Sequence, residues 1–417
     1  MMKKLLVLAG KPIGSCEIVN YAKQHGIYTI VTDYLSKEES AAKRLADECW
    51  DISTADVDTL VRLVKEQKID GIYTGVHEFN IRKMIEVCTK SNLPCFCTLD
   101  QWDMLCDKRR FKELCREYDI PVAAEFSVNK VEDIDLIGEA NYPLIIKPAD
   151  GSGSRGFSIC HNAEELRNSY SRAVEFSDTG SALIETFMNY HQSAIINYTL
   201  VNGKVYFSGI SDKLSEKVFE DGAPIMAAQF YPSIYENNYL SSLNKKVKKM
   251  FEESGLKNGV IWIEAFCKNG AFTFNEMGFR FGGSLTYLPV KHFFGIDQLA
   301  LQIDYALNEK NDEISINEKI VTNDLYCILP VHVKPGIIAK IDGLDLIQKR
   351  EELVKIVPVH FIGDVIENWG SAQQVFAYLH FKGKTREELD TFAKYIIDTL
   401  KVYDKNNNQM LFNLYIR

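Results

Sequence analysis

The first hundred residues alternate short apolar runs with amphipathic stretches, and this alternation constrains the fold more than any other feature of the chain. The apolar segments KKLLVLA, IYTIVTD and GIYTG are rich in residues that favour strands. Helical periodicity predicts helices from about residue 16 to 25, 56 to 67 and 79 to 91, and a further buried strand is expected at PCFCT. This order predicts an α/β domain with a parallel, doubly wound sheet.

The first strand-to-helix turn argues against a dinucleotide site. It is GKPIG, from Gly10 to Gly14, and it lacks the GxGxxG spacing that lets a backbone approach a pyrophosphate. A nicotinamide-dependent oxidoreductase therefore retains only an argument from fold. The preceding MMKKLLVLA resembles a secretory leader, but its apolar run extends only from Leu5 to Ala9, and we interpret it as a buried strand.

Composition excludes several classes of partner. The net charge is −9 and the basic residues are spread along the chain, so neither nucleic acid nor an anionic membrane is expected as a partner. No run approaches the length of about 18 apolar residues that a membrane-spanning helix requires. We expect a cytoplasmic protein, and its 417 residues predict two or three domains.

Ten cysteines are scattered along the chain without a CxxC pair. The closest two are Cys95 and Cys97, within the predicted strand SNLPCFCTL. We interpret them as free core thiols, with a metal or redox site as the alternative. Disulfide bonds that staple the fold are not expected.

The stretch PLIIKPADGSGSRGFSI, residues 143 to 159, places a glycine- and serine-rich loop after a strand that carries Lys147. Successive small residues expose backbone N–H groups, and Arg155 adds a cation, so the loop is suited to an anion. It is not a Walker loop, since Phe157 and Ser158 stand where that motif has lysine and serine or threonine. We predict a lid over phosphates, with Lys147 as the charge beneath it; the alternative is a simple turn.

Two Asn-Gly pairs predict β-hairpins, in SAIINYTLVNGKVYFSGISDK and in GVIWIEAFCKNGAFTFNEM. In the second hairpin Glu264 and Glu276 are 12 residues apart with the Asn269-Gly270 turn between them, so they are expected to lie across from each other or nearly so. Two facing carboxylates repel unless a cation lies between them, and their oxygens suit Mg²⁺; the alternative is a solvated pair. Arg280 follows within reach and could stabilise charge on a transferred phosphoryl group.

Residues 101 to 119 predict one amphipathic helix that ends before Pro121. Lys108 lies in it beside Asp107, Arg109 and Arg110, and composition alone favours a solvated helix face there. Further helices are expected at residues 163 to 176, 243 to 254 and 385 to 400, and the segments LYCILPVHVKPGIIAKI, VKIVPVHFIGDVI and AQQVFAYLHFKGK predict strands.

Taken in order, two lysines, a glycine loop, a Glu-aromatic strand end, two facing glutamates and an arginine resemble the ATP-grasp superfamily of carboxylate–amine and carboxylate–thiol ligases. The resemblance extends along essentially the whole chain. It implies an ATP-grasp fold with a doubly wound, Rossmann-like N-terminal domain at residues 1–100. An ATP-grasp domain is then expected at 101–320, with a lid subdomain at about 121–188, followed by an α+β domain at 321–417.

The resemblance also implies roles for individual residues. Lys108 and Lys147 would bind the nucleotide phosphates, and Glu264 and Glu276 would ligate Mg²⁺, with Mn²⁺ as an alternative metal. Arg280 would act in catalysis together with Lys147. The remaining expected ATP ligands are Ser152, Gly153, Ser154 and Gly156 in the lid, Glu185, Thr186, Phe187 and Met188 in LIETFM, and Gln192 and Lys213.

Two positions depart from the family pattern. Gly278 stands where many members have asparagine, and Gln192 or Ser193 falls where an acidic residue usually binds ribose. The resemblance implies an EC 6.3-type ligase that activates a small carboxylate, expected to be an amino acid, as an acyl phosphate and couples it to an amine. The alternatives are a purine-biosynthesis ligase of the phosphoribosylglycinamide synthetase or aminoimidazole ribonucleotide carboxylase type, and a nucleotide-binding homologue without activity. Lys291 and His292 are either substrate ligands or surface residues, and a homodimer is expected.

Overall fold

The computed structural model describes residues 2–9, 12–128, 130–149, 156–177, 179–188, 192–219, 224–308, 316, 318–367 and 370–415. Within these ranges the strands are β1 (Lys4–Leu8), β2 (Tyr28–Thr32), β3 (Glu48–Trp50), β4 (Gly71–Thr74), β5 (Glu125–Phe126), β6 (Leu144–Pro148), β7 (Ser158–Cys160), β8 (Ala182–Thr186), β9 (Gln192–Val201), β10 (Lys204–Glu216), β11 (Ile225–Tyr231), β12 (Gly259–Lys268), β13 (Ala271–Gly278), β14 (Leu325–Val333), β15 (Gly336–Asp342), β16 (Leu353–Pro358), β17 (Val365–Ile366), β18 (Val375–Gly383), β19 (Lys401–Asp404) and β20 (Leu411–Phe412). The α-helices are α1 (Pro12–Gln24), α2 (Ala41–Leu45), α3 (Val57–Glu66), α4 (Glu78–Ser91), α5 (Leu99–Cys106), α6 (Lys108–Glu117), α7 (Ala163–Glu175), α8 (Glu236–Ser242), α9 (Asn244–Glu253), α10 (Tyr287–Phe294), α11 (Gln298–Asn308), α12 (Leu344–Gln348) and α13 (Arg386–Thr399).

The N-terminal sheet is parallel, with the strand order β3-β2-β1-β4. Its central strand β1 is buried from Leu5 to Leu8, as expected for a strand covered on both faces. The predicted strand at PCFCT is wrong, because this segment contains no strand and leads directly into α5. Pro94 has no N–H for a ladder, and Thr98 instead forms a capping box with Gln101 at the start of α5.

The helix predicted for residues 101 to 119 is two helices, α5 and α6, which are separated at Asp107. Asp107 has an extended backbone, and its carboxylate accepts hydrogen bonds from the amides of Arg109 and Arg110, both at 2.9 Å. The acid therefore starts a new helix rather than continuing the old one. As a consequence Lys108 is the first residue of α6.

A separate four-stranded sheet, with the order β5-β8-β6-β7, carries the predicted lid. The pairs between its strands are antiparallel. Helix α7 packs on this sheet, and Leu166 from the helix joins Leu144 and Ile146 from β6 in a small core of its own. This core fixes the position of β6, the strand that bears Lys147.

The largest sheet has the strand order β13-β12-β9-β10-β11-β14-β18-β16, with β20 paired to β14. Both predicted hairpins are confirmed: β9 and β10 turn at Asn202-Gly203, and β12 and β13 turn at Asn269-Gly270. All four turn residues have positive φ, between 52° and 82°, which is the conformation that favours Asn-Gly in two-residue hairpin loops. The second hairpin brings the predicted metal ligands to the edge of this sheet.

The last hundred residues contribute β14, β16 and β18 to the large sheet and form the three-stranded sheet β17-β15-β19. Many of their buried side chains, among them Leu329, Leu379 and Ile396, form a second core with Ala228 and Phe230. The final helix is confirmed as α13, and Thr385 caps it by accepting a hydrogen bond from the Glu388 amide. None of the helices in the described ranges has the combination of length and apolarity needed to cross a bilayer.

Candidate active site

Glu185 is buried between two lysines from different elements. Its carboxylate lies 2.8 Å from the Lys147 Nζ atom on β6 and also contacts the Lys112 Nζ atom on α6. Lys112 is fully buried, while the Lys147 side chain keeps 11% of its surface exposed. Lys147 also donates a hydrogen bond to Oδ1 of Asn275, at 3.1 Å, and so connects β6 to the hairpin strand β13.

One buried carboxylate cannot compensate two ammonium groups, and both lysines titrate below their usual range. Burial, and next the charge of Lys108, lower the pKa of Lys147 to about 8. Burial, and next the charge of Lys147, lower the pKa of Lys112 to about 6. At neutral pH the positive charge beside Glu185 therefore belongs to Lys147 rather than to Lys112.

The carboxylate of Glu276 lies in the electrostatic field of four cations. Its Oε2 atom is 3.7 Å from Nζ of Lys108. Burial alone would raise the pKa of Glu276, but the surrounding positive charges outweigh burial and hold that pKa below its usual value. These charges belong to Lys108, Lys147, Lys213 and Arg280. The structure thus brings the predicted phosphate-binding and catalytic cations near one predicted metal ligand.

Glu264 lies directly opposite Glu276 in the register between β12 and β13, as the hairpin prediction required. Lys213 of β10 contacts the Glu264 carboxylate at 2.8 Å, and the hydroxyl of Ser193 donates a hydrogen bond to it at 2.7 Å. A bulge follows Glu264 in this pairing. Bulges are frequent next to active sites, where they redirect a side chain.

Arg280 connects this hairpin to the N-terminal domain. Its Nη2 atom donates to the carboxylate of Glu78, at the start of α4, over 2.7 Å. Its guanidinium lies over the indole ring of Trp262, with Cζ 5.2 Å from the ring centroid. Trp262 is also paired with Gly278, and a Cβ atom on Gly278 would come within 2.3 Å of the Trp262 Nε1 atom. The indole therefore occupies the space that an asparagine at position 278 would need.

Parts of this chain are similar in sequence to known proteins. Residues 107–202, which include Lys108, Lys147 and Glu185, match the family model of the carbamoyl-phosphate synthase L chain, ATP binding domain. Over this segment the chain is similar to the ATP-binding domain of that family. A curated relative, the small subunit of 2-oxoglutarate carboxylase from Hydrogenobacter thermophilus, is 28% identical over 207 residues. That match covers 45% of this chain and 43% of the relative's own length.

Solved ATP-grasp structures match nearly the whole chain. The biotin carboxylase domain of the Hydrogenobacter thermophilus 2-oxoglutarate carboxylase, solved as a dimer with MgADP, ADP and bicarbonate, has a TM-score of 0.80 at 18% identity and covers 98% of this chain and 92% of its own. L-amino acid ligase from Bacillus licheniformis has a TM-score of 0.76 at 19% identity, with 97% and 100% covered. Phosphoribosylglycinamide synthetase from Anaerococcus prevotii has a TM-score of 0.74 at 19% identity, with 97% and 100% covered. These likenesses confirm the predicted ATP-grasp fold.

Several expected ATP ligands lie at the edges of the cluster or beyond it. Ser152, Gly153 and Ser154 fall outside the described residues. Gly156 ends the loop with φ +69°, and a Cβ there would lie 2.8 Å from Phe176 and 2.9 Å from Pro148, so packing alone requires glycine. The other four are half-buried next to Glu185 or at the start of β9: Thr186, Phe187, Met188 and Gln192. Their contacts with a nucleotide stay a prediction.

The predicted metal position rests on two carboxylates. No group of three or more histidine, cysteine, aspartate or glutamate side chains in the described ranges is arranged to hold a metal ion. Mg²⁺ is usually held by one or two carboxylates while phosphate oxygens and water complete its shell. Glu264 and Glu276, in direct register, fit that requirement, and their lysine partners would be free to turn toward phosphates.

Sequence reasoning did not single out three residues that contact the predicted site residues: Lys112, Asn275 and Glu78. Lys112 follows Lys108 by four residues and lies beside the apolar Phe111, which was a signal that it faces inward. Glu78 follows the carboxyl end of β4, the edge at which open α/β sheets bind ligands. Asn275 precedes Glu276 and carried no signal of its own.

Proposed function

We propose that this chain is an ATP- and Mg²⁺-dependent ligase that activates a small carboxylate, most simply an amino acid, as an acyl phosphate and couples it to an amine. The observation that carries the proposal is the Glu276 carboxylate, which faces Glu264 and lies in the electrostatic field of four cations. Such a field suits a polyphosphate that is held through a divalent cation.

The roles of the cations follow from their positions. Lys147 lies near the end of β6, three residues before the loop of residues 150–157 in the sequence, and would hold the terminal phosphates. Lys108 has its ammonium beside Glu276 and would neutralise the same phosphates. Glu264 and Glu276 would hold Mg²⁺, which supplies charge neutralisation between phosphate oxygens when it is bound.

Arg280 is positioned to bind the substrate carboxylate. The Nε atom of Arg280 and the Nε1 atom of Trp262 are buried donors without an acceptor among the described residues. Unpaired buried donors are costly, and the oxygens of a carboxylate or of an acyl phosphate would satisfy them. In the reaction a carboxylate oxygen attacks the γ-phosphorus of ATP and ADP leaves. The amine then attacks the acyl carbon, and phosphate departs as the amine loses a proton.

A second candidate is a bicarbonate-activating reaction of the carboxylase type. The similarity to the 2-oxoglutarate carboxylase small subunit and to its biotin carboxylase domain favours it. Bicarbonate is a small carboxylate, so the same phosphate and metal residues would serve both reactions. A purine-biosynthesis ligase is supported by the likeness to phosphoribosylglycinamide synthetase, and Gly278 supports a homologue that binds nucleotide without turnover.

The test is release of ADP and phosphate from Mg-ATP by the purified chain. Separate pools would contain amino acids, bicarbonate with biotin, or purine-pathway amines with glycine or bicarbonate. The Glu276→Gln variant should abolish the stimulated release, and Glu66→Gln, on the exposed face of α3, is the matched control. Stimulation by amino acids alone supports the amino-acid ligase. Stimulation by bicarbonate supports the carboxylase reaction. If Mg-ATP binds but no pool stimulates the release of ADP and phosphate, the result supports the non-catalytic homologue.

A further inference from the structure

The loop of residues 279–286 joins β13 to α10 and carries Arg280. The Nη1 atom of Arg280 donates a hydrogen bond to the carbonyl of Phe281, at 2.9 Å, so the guanidinium is bound to the backbone of its own loop. A turn follows, in which the amide of Leu285 donates to the carbonyl of Gly282 at 2.9 Å. The position of Arg280 therefore depends on how this turn is held.

A side-chain hydrogen bond attaches the turn to the large sheet. The hydroxyl of Ser284, within the turn, donates to the Oε1 atom of Gln229 on β11 at 3.1 Å. Ser284 is 9% exposed and Gln229 is 1% exposed, so water competes little for this bond. Removal of one partner leaves a buried polar group without its hydrogen bond, which is costly.

The Gln229 side chain is itself held by buried neighbours on the sheet. Its Nε2 atom donates to the hydroxyl of Ser211 at 2.8 Å and to the hydroxyl of Tyr231 at 3.0 Å. The Nδ2 atom of Asn197 donates to the same Tyr231 hydroxyl at 3.3 Å. These three neighbours are buried, and both ends of the Gln229 amide are bonded.

A backbone carbonyl sets the direction of this network. The Ser211 hydroxyl donates its hydrogen to the carbonyl of Ile195, at 3.3 Å. Because a carbonyl only accepts, the Ser211 oxygen is left to accept from Nε2 of Gln229. The Oε1 atom of Gln229 then faces Ser284, whose hydroxyl has to donate. Ile195 lies opposite Glu264 in the register between β9 and β12, so the chain of hydrogen bonds begins beside a predicted metal ligand.

The network also lies on the sheet face that carries the proposed site. Gln229 is the cross-strand partner of Lys213, whose Nζ atom is 2.8 Å from the carboxylate of Glu264. Ser211 precedes Lys213 by two residues on β10, so the alternation of a strand places both on one face. The buried polar groups thus extend from the proposed metal position to the loop that bears the arginine.

We propose that Gln229 and Ser284 are positioning residues that hold the 279–286 loop on the sheet and thereby align Arg280 with the substrate carboxylate. This inference rests on the proposed function, in which Arg280 binds that carboxylate. Glu78 and the ring of Trp262 hold the same guanidinium from two other elements. Small displacements of a group that orients a substrate reduce the rate strongly, so the attachment of the loop matters for catalysis.

The first test is the reaction of Arg280 with phenylglyoxal in the full chain, followed by digestion and mass spectrometry. The Arg280 side chain is 14% exposed, so slow labelling is expected in the natural chain. Ser284→Ala and Gln229→Met should each label about fivefold faster, which is the effect of one lost hydrogen bond on local opening. Ser208→Ala is the control, because it removes a fully buried hydroxyl of β10 that bonds a different side chain, and its labelling should be unchanged.

The second test is the kinetics of the stimulated release of ADP. In both single variants kcat/KM for the carboxylate should fall by about tenfold, while the Kd for Mg-ATP should change less than twofold. The double variant should be no slower than the poorer single variant, because both substitutions remove the same bond. Ser284→Thr keeps the hydroxyl and should restore most of the rate.

The labelling decides the inference without turnover. Unchanged labelling of Arg280 in Ser284→Ala, which is a small substitution, would overturn the positioning role even if Gln229→Met folds poorly. Losses that add in the double variant, or a loss of Mg-ATP affinity equal to the loss of kcat/KM, would overturn it as well. A chain in which no pool stimulates the release of ADP would instead overturn the ligase proposal, and the labelling would still show whether the loop is held through Gln229.

Discussion

At the scale of single residues, the competition between Lys112 and Lys147 for one carboxylate decides which of them carries charge. Burying an ammonium group without a compensating negative charge is costly. One of the two lysines around Glu185 therefore stays protonated more easily than both do. The pKa of Lys147, about 8, and that of Lys112, about 6, place the retained proton on Lys147 at neutral pH. Lys112 then serves as a neutral donor that holds Glu185 in place.

This charge distribution predicts how Mg-ATP affinity depends on pH. Lys147 is protonated below its pKa of about 8 and neutral above it, and a bound polyphosphate favours the protonated form. The affinity for Mg-ATP should therefore be nearly constant from about pH 7.2 to 7.5 and should fall as the pH rises through 8. Above the pKa of Lys147 the affinity should decrease by up to about tenfold for each pH unit. Calorimetric titrations at a series of pH values measure it.

Lys147→Arg is the control for the pH experiment, because a guanidinium stays protonated throughout this range. The variant should bind Mg-ATP with little change between pH 7.2 and 9. If the variant and the natural chain lose affinity in parallel, the titrating group is not Lys147.

The site residues that sequence reasoning found share one property: each sits at a regular position of a strand or helix. Lys147 ends an apolar strand, and Glu264 and Glu276 are placed by their distance from an Asn-Gly turn. Lys112 and Glu78 were missed because their partners are distant in sequence, 73 and 202 residues away. The periodicity of a sequence indicates which way a side chain faces, but it does not identify the residue that this side chain contacts in the folded chain.

At the scale of elements, the start of α6 positions Lys108. Asp107→Ala removes the cap from this helix, which should cost about 0.5 to 2 kcal/mol of stability. It should also weaken Mg-ATP binding, because Lys108 is the first residue of the helix that Asp107 caps. Urea denaturation and calorimetry measure the two effects.

The matched control is Asp56→Ala, which removes the equivalent cap of α3. It should cost a similar amount of stability and leave Mg-ATP affinity unchanged, since α3 lies in the N-terminal sheet domain. Equal losses of affinity in the two variants would mean that instability, rather than Lys108, explains the effect.

The hairpin of β12 and β13 explains the glycine that departs from the family pattern. Gly278→Ala places a Cβ within 2.3 Å of Trp262 Nε1, and overpacking of this kind should cost about 1 to 3 kcal/mol. Gly283→Ala, for which no atom lies within 4 Å of the new Cβ, should change the free energy of unfolding little. The cost at Gly278 should shrink when Trp262 is replaced by Leu; an undiminished cost would show that the indole is not the obstacle.

Elements whose ends are set by local side-chain chemistry were predictable from the sequence. Elements in which a helix cap competes with a strand or helix pattern were not. The Asn-Gly turns and the start of α13 next to Thr385 are local, and both were placed correctly. The segment PCFCT has the composition of a strand, but its last residue, Thr98, forms the capping box at which α5 begins. Asp107 similarly divides one amphipathic pattern into two helices, because its side chain bonds the backbone that follows it.

At the scale of the whole molecule, the ion pair of Arg280 and Glu78 ties the N-terminal domain to the site. Glu78→Gln keeps the shape of this partner but removes its charge, so Arg280 should be held less firmly over Trp262. We expect kcat for the stimulated release of ADP to fall at least several-fold, with Mg-ATP affinity changed less than twofold. Steady-state kinetics and calorimetry separate the two quantities.

Glu86→Gln, on the same helix α4, is the control, because Glu86 pairs with Lys83 rather than with Arg280. It should behave like the natural chain in both measurements. A loss of Mg-ATP affinity in Glu78→Gln equal to its loss of kcat would place Arg280 on the nucleotide instead of on the second substrate.

The large sheet, which runs without interruption from β13 to β16, has a consequence for anyone who divides this protein into parts. The boundary predicted near residue 320 lies just before β14, and β14 is the hydrogen-bonded neighbour of β11. A fragment that stops there would leave the N–H and C=O groups of β11 without their partner strand, and an open strand edge recruits strands from other chains. Shortened versions made for crystallisation or display should therefore keep the C-terminal strands, or they are expected to self-associate.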